Sequence, residues 1–387
     1  MKATTPRLAR RIEELLKLKR TLLARIEAKL SEKEVKEARN DHHARRKPRP
    51  CGMTIHTGIG CNLGCLYCYV PDMGFPLRPR PYPLTGLQLV YALLYNPYFV
   101  PGPSGTLLAF GSVTEPFLAE TKDRAIEYLY YTYAYLGNPQ QLSTKSILQG
   151  SDLDKLLKSI DPKINILITI VTLKYHRILE PRAPSPLLRL DFAKKLVEHG
   201  VSVTLFMRPI IPGITDREAE EILKKAKEHG IKTVVLGSLR VTPGILRRLG
   251  ATRIIDLEEV SKRLPRRPRS NRDQVTIIEN DLKEYIARKA RRIGLMVLPS
   301  SCSANIWSHG LWCHACKWGP CGDPANAIRL SEEEIIEAAE VLGCSSPRVK
   351  LHNYRVLVRC RGSERHWDVL AVWLETLTRR EVRVLTY

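Results

Sequence analysis

Three cysteines in one short segment constrain this chain more than any other feature. Cys61, Cys65 and Cys68 are separated by three and then two residues, so one loop can place three thiolates around a single small metal centre. A cubane iron–sulfur cluster takes cysteine ligands at its irons. With three ligands one iron keeps an open position, which is where open metal sites bind a substrate or cofactor. The alternative is a zinc site, which needs a fourth Cys or His close by, and His56 is the only nearby candidate.

The chain around this loop alternates short apolar runs with helical patterns. Strands are predicted at Met53–Thr57, Gly105–Phe110, Gln141–Ser146, Asn165–Val171, Val201–Arg208 and Thr233–Gly237. Helices are predicted at Leu84–Leu94, Asp123–Leu136, Pro186–His199 and Arg217–His229. This alternation is typical of parallel α/β folds and predicts a partial (β/α)6 barrel. Chemistry in such sheets collects at the carboxyl ends of the strands, where the cysteine loop, Glu115 and Lys145 fall.

The 387 residues divide into three predicted parts. Residues 1–50 are a basic helical extension and linker, which either packs on the main domain with a solvated charged face or reaches towards nucleic acid. The extension ends near His42 and His43, which are predicted to be solvated. Residues 51–262 are the barrel, and residues 263–387 are a small α+β domain with a second cysteine group. The elements predicted in this domain are helix Asn280–Gly294, strand Leu295–Leu298, helix Ser331–Leu342, strand Val349–Arg359, helix Glu364–Thr378 and strand Glu381–Thr386, the last three forming a β-α-β unit.

The charge of the chain favours a polyanionic partner. Lys and Arg number 62 against 40 Asp and Glu, which gives a net charge of +22. A field of this size attracts nucleic acid, RNA or DNA, whereas the alternative is a thermophile-like basic surface with ion networks. No run of 18 apolar residues is present and the first residues are charged, so a soluble cytoplasmic protein without a membrane partner is expected.

Four further segments occur in a fixed order after the cysteine loop. They are Gly111-Ser-Val-Thr-Glu115-Pro116, Gln141-Leu-Ser-Thr144-Lys145-Ser146, Glu180-Pro-Arg-Ala-Pro-Ser-Pro186-Leu-Leu-Arg189-Leu190 and Arg208-Pro-Ile-Ile-Pro212-Gly213. Together with the cysteine spacing and the aromatic Tyr67 before the last cysteine, they resemble radical S-adenosylmethionine (SAM) enzymes. The resemblance is to the spore photoproduct lyase-like branch and covers about residues 51 to 225.

This resemblance implies the cofactors of the family. Cys61, Cys65 and Cys68 would hold a 4Fe-4S cluster whose open iron is chelated by SAM. The reduced cluster would cleave SAM to a 5′-deoxyadenosyl radical, with electrons from a donor such as ferredoxin or flavodoxin. The enzyme would therefore be a lyase or a modification enzyme of the radical SAM class.

The resemblance also implies roles for individual side chains. Glu115 would bind the SAM amino group, and Lys145, next to Thr144 in the same cofactor-binding segment, would face the SAM carboxylate. Tyr67 would lie near the adenine. Tyr69 matches a second tyrosine that lyases of this branch use as a catalytic hydrogen-atom relay. Packing is the alternative for both tyrosines.

One position departs from the photoproduct lyase pattern. That lyase has a hydrogen-donating cysteine in its strand-two segment, where this chain has Ser112 or a neighbour, and no cysteine lies between Cys68 and Cys302. A serine O–H bond is too strong to replace a thiol as hydrogen donor. Thymine-dimer lyase activity is therefore not expected, and the resemblance implies fold and radical chemistry only.

A second cysteine group lies near the C-terminus. Cys302, Cys313, Cys316 and Cys321 fall within twenty residues and are interleaved with Trp307, Trp312 and Trp318, which would shield a cluster from water. Four cysteines can fully ligate a second 4Fe-4S cluster, which relatives of this class often carry, or a zinc ion; buried thiols without metal are the third alternative. The scattered Cys51, Cys344 and Cys360 are predicted to be packing residues.

These observations support three functional hypotheses. The leading one is a radical SAM enzyme that abstracts a hydrogen atom from a nucleic-acid substrate. The second is a radical SAM enzyme acting on a protein or peptide, and basic residues at the barrel mouth would distinguish the two. The third is a non-enzymatic, zinc-stabilised nucleic-acid-binding protein.

Overall fold

The computed structural model of the protein describes residues 8–361 and 366–387. The strands are β1 Met53–Ile55, β2 Gly58–Ile59, β3 Arg80–Pro81, β4 Leu108–Phe110, β5 Gln140–Thr144, β6 Asn165–Thr169, β7 Ser202–Ile210, β8 Thr233–Ser238, β9 Arg240–Val241, β10 Val275–Thr276, β11 Met296–Leu298, β12 Trp312–Cys313, β13 Cys321–Gly322, β14 Ser345–His352, β15 Arg355–Arg361 and β16 Glu381–Thr386.

The helices are α1 Leu8–Glu27, α2 Glu32–Asn40, α3 Gly86–Tyr95, α4 Lys122–Leu136, α5 Ser151–Ser159, α6 His176–Leu179, α7 Pro186–Glu198, α8 Thr215–Glu228, α9 Pro243–Gly250, α10 Leu257–Lys262, α11 Asn280–Ile293, α12 Ser301–Ser308, α13 Glu332–Val341 and α14 Trp367–Thr378. Two short 3-10 helices cover His42–Ala44 and Pro324–Asn326. Within these described ranges, no helix is long and apolar enough to cross a membrane.

A parallel sheet in the order β1-β4-β5-β6-β7-β8-β11 forms the centre of the molecule. Every neighbouring pair in this order is parallel. β6 is buried along its whole length, as expected for a strand that is covered on both faces. The strands of this sheet are neighbours in the order in which they occur along the chain, and β1 and β11 are its two edges, which leave the barrel open. The predicted partial α/β barrel is therefore confirmed.

The sheet has seven strands, one more than the sequence analysis assigned to the barrel. The additional strand is β11, which was predicted as part of the C-terminal domain. Gly294 ends α11 in a left-handed conformation with φ of 86°, so the chain reverses and Met296 pairs with Thr233 of β8. The domain boundary between residues 262 and 263 remains a prediction.

Helix α12 packs across the barrel strands and reaches the amino ends of β4 and β5. The Asn305 amide donates to the carbonyls of Leu108 and Pro139, at 3.5 and 3.3 Å. Ala304 of the same helix packs against side chains from four neighbouring strands, namely Leu167, Phe206, Val235 and Leu298. The helix therefore fixes the second cysteine group at the end of the sheet opposite to the functional loops.

Helix α1 joins the barrel to the C-terminal unit. Leu8 and Ile12 pack in the C-terminal core, whereas Ile26 packs in the barrel core. The helix contacts both α3 and α13. Of the two alternatives for the N-terminal extension, the structure has the packed helix with a charged solvent face.

The C-terminal unit is the sheet β14-β15-β16 covered by α13 and α14. The predicted single strand Val349–Arg359 is wrong, because Asn353 takes a positive φ of 51° and turns the chain into an antiparallel hairpin. α14 begins at Trp367, and Glu364, where the helix was predicted to begin, lies outside the described residues. A disulfide joins Cys344 to Cys360, so these two are more than packing residues.

Candidate active site

The cysteine loop, residues 61–68, is tied to the chain segment that follows β6 and α6. The Leu66 N–H donates to the carbonyl of Leu179 at 2.9 Å, and the Arg182 N–H donates to the carbonyl of Leu63 at 3.2 Å. The two bonds satisfy backbone groups on both sides of the loop. The loop therefore has a fixed position at the carboxyl end of the sheet.

Arg248 on α9 holds the other side of the loop. Its guanidinium donates to the carbonyls of Leu66 and Cys68, at 3.0 and 2.7 Å. The same group pairs with the Asp72 carboxylate at 2.7 Å, and the Thr242 hydroxyl also donates to Asp72. A bidentate guanidinium of this kind orients two loop carbonyls at once.

The three thiols share a buried environment next to one cation. Burial raises the pKa of Cys61 to about 11 and also raises the pKa values of Cys65 and Cys68. The ammonium of Lys145 acts in the opposite direction on the pKa values of Cys65 and Cys68. The Val70 N–H lies 3.5 Å from the Cys68 sulfur. Buried sulfurs with backbone N–H donors are the environment in which proteins hold and tune iron–sulfur clusters.

A buried ion pair lies under the loop. Glu180 and Arg189 are 2.5 Å apart, and both side chains are completely inaccessible. The Tyr67 hydroxyl donates to Glu180, while Arg189 also donates to the carbonyls of Pro184 and Thr169 at 2.7 and 2.9 Å. Although burial opposes it, the charge of Arg189 lowers the pKa of Glu180. Tyr67 is therefore fixed through its hydroxyl.

Glu115 follows β4 and is buried beside the end of β5. Its carboxylate accepts hydrogen bonds from the Thr144 hydroxyl and, at 2.8 Å, from the Lys145 N–H. Burial raises the pKa of Glu115, because the charged form loses its hydration. The predicted residues Glu115, Thr144 and Lys145 thus come together, with Thr144 orienting the carboxylate.

The Lys145 ammonium lies 5.5 Å from the centroid of the Tyr67 ring. Burial acts to lower its pKa, but the negative charges of Cys65 and Glu180 outweigh this effect and raise the pKa. None of the described residues accepts a hydrogen bond from this ammonium. Lys145 is therefore a charged donor with free hydrogen-bonding capacity next to the cysteine loop.

Tyr69 points to the end of β4 rather than to the ion pair. Its hydroxyl donates to the carbonyl of Ser112 at 2.8 Å. The Ser112 hydroxyl lies 3.2 Å from Nδ1 of His56, which follows β1. The position where the photoproduct lyase pattern has a cysteine thus carries a serine paired with a histidine.

Three histidines, one aspartate and one tyrosine form a cluster beside this pair. His43 is completely buried, and its Nδ1 lies 2.7 Å from the carboxylate of Asp41. The Tyr82 hydroxyl donates to Asp41 at 2.7 Å and lies 2.9 Å from Nδ1 of His42. The rings of His42 and His56 are 4.9 Å apart. The prediction that His42 and His43 are solvated is wrong for His43, because the extension packs on the barrel.

Two arginines lie on the same side of the sheet as Tyr69. Arg208 lies near the carboxyl end of β7 and is half-buried, whereas Arg240 on β9 is exposed. The charges of both act to lower the pKa of Tyr69, although burial dominates and raises that pKa. Basic side chains therefore border the mouth of the barrel next to Tyr69.

A comparison with known families assigns this arrangement. The sequence profile of the radical SAM superfamily matches residues 55–226, which include the cysteine loop, Glu115 and Lys145. Over this segment the chain has the sequence pattern of the radical SAM superfamily, as the sequence analysis predicted. The match supports an enzyme of the radical SAM class.

Two solved structures share the fold of this radical SAM enzyme. A cysteine-to-serine variant of spore photoproduct lyase superposes with a TM-score of 0.52 and 20% identity, covering 65% of this chain and 78% of the lyase. A double variant of that lyase with bound AdoMet and dinucleoside spore photoproduct has a TM-score of 0.54 and 18% identity, covering 67% and 79%. At these identities the likeness is one of fold.

Sequence relatives cover only part of the enzyme. The uncharacterized protein ORF301 of Acidianus two-tailed virus is 27% identical over 201 residues, which are 47% of this chain and 65% of the relative. The uncharacterized protein Rv2578c of Mycobacterium tuberculosis is 23% identical over 176 residues, 43% of this chain and 52% of the relative. The chain thus spans about half to two thirds of these relatives.

The second cysteine group of the radical SAM enzyme is also brought together. Cys313 and Cys321 face each other across the two-stranded pairing of β12 and β13. Burial raises the pKa of Cys321 to about 12, and the charges of Cys313 and Cys316 add to the rise. Cys302 on α12 packs against this pair. Cys302, Cys313 and Cys321 therefore lie in one apolar cluster, and the charge of Cys316 acts on Cys321.

The shielding predicted for the tryptophans holds for one of the three. Trp312 is buried and lies beneath the guanidinium of Arg380, whose central carbon is 5.3 Å from the ring centroid. Trp307 and Trp318 are 41% and 55% exposed and cannot exclude water from the cysteines.

Cys51 lies beside this group. The sequence analysis did not predict this position. The interaction with Cys302 lowers the pKa of Cys51 to about 6, whereas the pKa of Cys302 is raised. Cys51 precedes Gly52, whose backbone lies directly against the carbonyl of Leu107. Leu107 in turn packs with Cys313 and the rest of the group. A separation of some 250 residues hides this contact from spacing arguments.

Proposed function

We propose that this radical SAM enzyme binds a 4Fe-4S cluster through Cys61, Cys65 and Cys68 and abstracts a hydrogen atom from a nucleic-acid substrate. When bound, the cluster and SAM supply a 5′-deoxyadenosyl radical. The observation that carries the proposal is the placement of three half-buried cysteines with Glu115 and Lys145 at the carboxyl end of one parallel sheet.

The side chains proposed to bind SAM have charges opposite to those of the SAM groups that they would contact. Lys145 offers an ammonium without a hydrogen-bond acceptor, which suits the SAM carboxylate. Glu115 offers a carboxylate oriented by Thr144, which suits the SAM amino group. Tyr67 supports the site as a buried ring fixed by Glu180. Replacing Lys145 with Met or Glu115 with Gln should weaken SAM binding about tenfold or more, measured by equilibrium dialysis of the reconstituted enzyme.

A nucleic-acid substrate is supported by three independent observations. The net charge is +22, and Arg208 and Arg240 border the mouth beside Tyr69. The spore photoproduct lyase of similar fold has been solved with a dinucleoside spore photoproduct bound. A protein or peptide substrate is the second candidate, because the arginine-lined mouth would also accept acidic side chains. We further propose ferredoxin or flavodoxin as the electron donor.

The second cysteine group is proposed to hold a metal centre of its own, either a second 4Fe-4S cluster or zinc. Cys302, Cys313, Cys316 and Cys321 would supply the ligands. Cys51 is a fifth sulfur in contact with Cys302 and competes for one ligand position. Five adjoining thiols are more than a four-coordinate zinc ion uses.

The test is anaerobic reconstitution with iron and sulfide, followed by iron and zinc analysis and a 5′-deoxyadenosine assay with dithionite and SAM. Wild type should hold about eight irons, or about four with zinc in the second site. Ala at Cys61, Cys65 and Cys68 should remove about four irons and all 5′-deoxyadenosine.

Two control variants make the iron count interpretable. Ala at Cys302, Cys313, Cys316 and Cys321 should remove only the metal of the second site, and the Cys344→Ala/Cys360→Ala variant should remove none. Wild type with zinc but no iron, and without SAM cleavage, would overturn the proposal and favour a zinc-stabilised nucleic-acid-binding protein.

A further inference from the structure

The side chain of Arg208 is fixed at the barrel mouth without a partner of its own. It lies across Gly237, where an added Cβ would be 2.5 Å from both Cγ and Cδ of Arg208. Its guanidinium carbon is 5.8 Å from the centroid of the Phe206 ring. No residue in ranges 8–361 and 366–387 forms a hydrogen bond or ion pair with this guanidinium. The long side chain of Arg208 can therefore lie along the end of β8 because residue 237 is glycine.

A second arginine, Arg240, is exposed on β9, three residues after the Gly237 that Arg208 lies across. Its charge, after burial, lowers the pKa of Arg208, so the two guanidinium groups repel each other. The carboxylate of Glu279 acts in the opposite direction and is itself paired with Lys283 at 3.3 Å. Like charges held together in a half-buried place are costly unless an anion binds between them.

We propose that Arg208 and Arg240 bind a phosphodiester group of the substrate strand and thereby set which nucleotide faces Tyr69 and Ser112. This inference rests on the proposed nucleic-acid substrate and names the groups that would recognise it. Guanidinium forks match the oxygens of a phosphate, and phosphate contacts fix the register of a strand without reading its sequence. The net charge of +22 favours a polyanionic strand over an isolated acidic side chain.

Salt dependence of binding is the readout that a merely structural arginine would not change. The probe is a fluorescein-labelled single-stranded oligonucleotide of about 12 nucleotides, as DNA and as RNA. Its anisotropy would be titrated with the reconstituted enzyme between about 50 and 200 mM salt. Arg208→Gln and Arg240→Gln should each weaken binding about tenfold and reduce the slope of log K against log salt by about one.

Three further variants serve as controls. Arg359→Gln removes from β15 a charge that is exposed like that of Arg240, and it should leave the affinity nearly unchanged. Arg208→Lys keeps the charge but loses the fork, so the slope should be kept while affinity falls part of the way. Gly237→Ala should act like Arg208→Gln, because its Cβ displaces the Arg208 side chain. Iron content and SAM binding report whether each variant is folded.

The outcomes separate the inference from the proposed function. If wild type binds both oligonucleotides but Arg208→Gln, Arg240→Gln and Arg359→Gln behave alike, the phosphate site is refuted and a nucleic-acid substrate stands. If wild type cleaves SAM but binds no oligonucleotide while binding an acidic peptide through Arg208, the nucleic-acid substrate and the phosphate site both fail.

Discussion

Glu180→Gln tests whether a buried ion pair supports the cysteine loop. The substitution keeps the shape of the side chain but removes the charge that Arg189 faces at 2.5 Å. Removing one partner of a buried pair leaves the other as an uncompensated charge and costs ~3–5 kcal/mol. Arg189 keeps the carbonyls of Pro184 and Thr169 as acceptors. We therefore expect the lower end of this range, about 3 kcal/mol.

The assay is urea unfolding of the reduced, metal-free protein followed by circular dichroism. All five tryptophans lie beyond residue 300, so circular dichroism is the more direct report on the barrel. The matched control is Glu198→Gln on the same helix α7 as Arg189, because Glu198 and Lys194 are both 58% exposed and 4.0 Å apart. An exposed pair of this kind contributes little to stability, so the control should unfold like wild type.

A second variant separates the charge from the lost hydrogen bond. Adding Arg189→Met to Glu180→Gln removes the unpaired charge but leaves the Thr169 and Pro184 carbonyls without their donor. We expect about 1 kcal/mol of stability to return. If Glu180→Gln unfolds at the same urea concentration as Glu198→Gln, or if the double variant is less stable than Glu180→Gln, the reasoning from an uncompensated charge is refuted.

Three further perturbations have defined outcomes. Burial lowers the pKa of His56 to about 3 and that of His42 to about 4. Because histidines in the unfolded chain bind protons at about pH 6.5, the free energy of unfolding should fall as the pH drops from about 6.5 to 4. Urea titrations at each pH should show a shallower fall for His56→Gln than for wild type. The Cys344–Cys360 disulfide has a sequence separation of 16, so Cys344→Ser should cost ~3 kcal/mol in the C-terminal unit, read by tryptophan fluorescence, and an unchanged midpoint would contradict this. Arg248→Gln should speed iron loss to a chelator, because the carbonyls of Leu66 and Cys68 lose their donor, whereas equal rates would show that α9 does not hold the loop.

Local sequence signals were sufficient for the barrel and for the first cysteine site. Buried β-branched runs such as Asn165–Thr169 and the helices between them have periodicities that identify them without tertiary information. Glu115 and Lys145 could be predicted to meet, because they follow neighbouring parallel strands whose carboxyl ends share one edge. The role of each cofactor residue remains a prediction, although their proximity is a structural fact.

The contacts that support the site could not be predicted from the sequence. Glu180 and Arg189 were noted as parts of one motif but not as an ion pair, and Arg248 was missed because it contacts a loop some 180 residues away. The same holds for His43, whose burial follows from packing of the N-terminal extension on α3. A Glu followed nine residues later by an Arg is too common a pattern to have predicted a completely buried pair.

The position of the second cysteine group limits what it can do for catalysis. Strand β4 lies between Leu107 and Ser112, which are five residues apart. Leu107 packs against the second cysteine group, and Ser112 contacts Tyr69. An extended strand rises about 3.3 Å per residue, so the two ends can be up to ~16 Å apart. A metal centre bound there, as we propose, would lie at the opposite end of β4 from a substrate held against Tyr69. Its expected roles would be structural support of α12 and electron transfer, for which the exposed Cys51 would offer a redox partner an accessible edge.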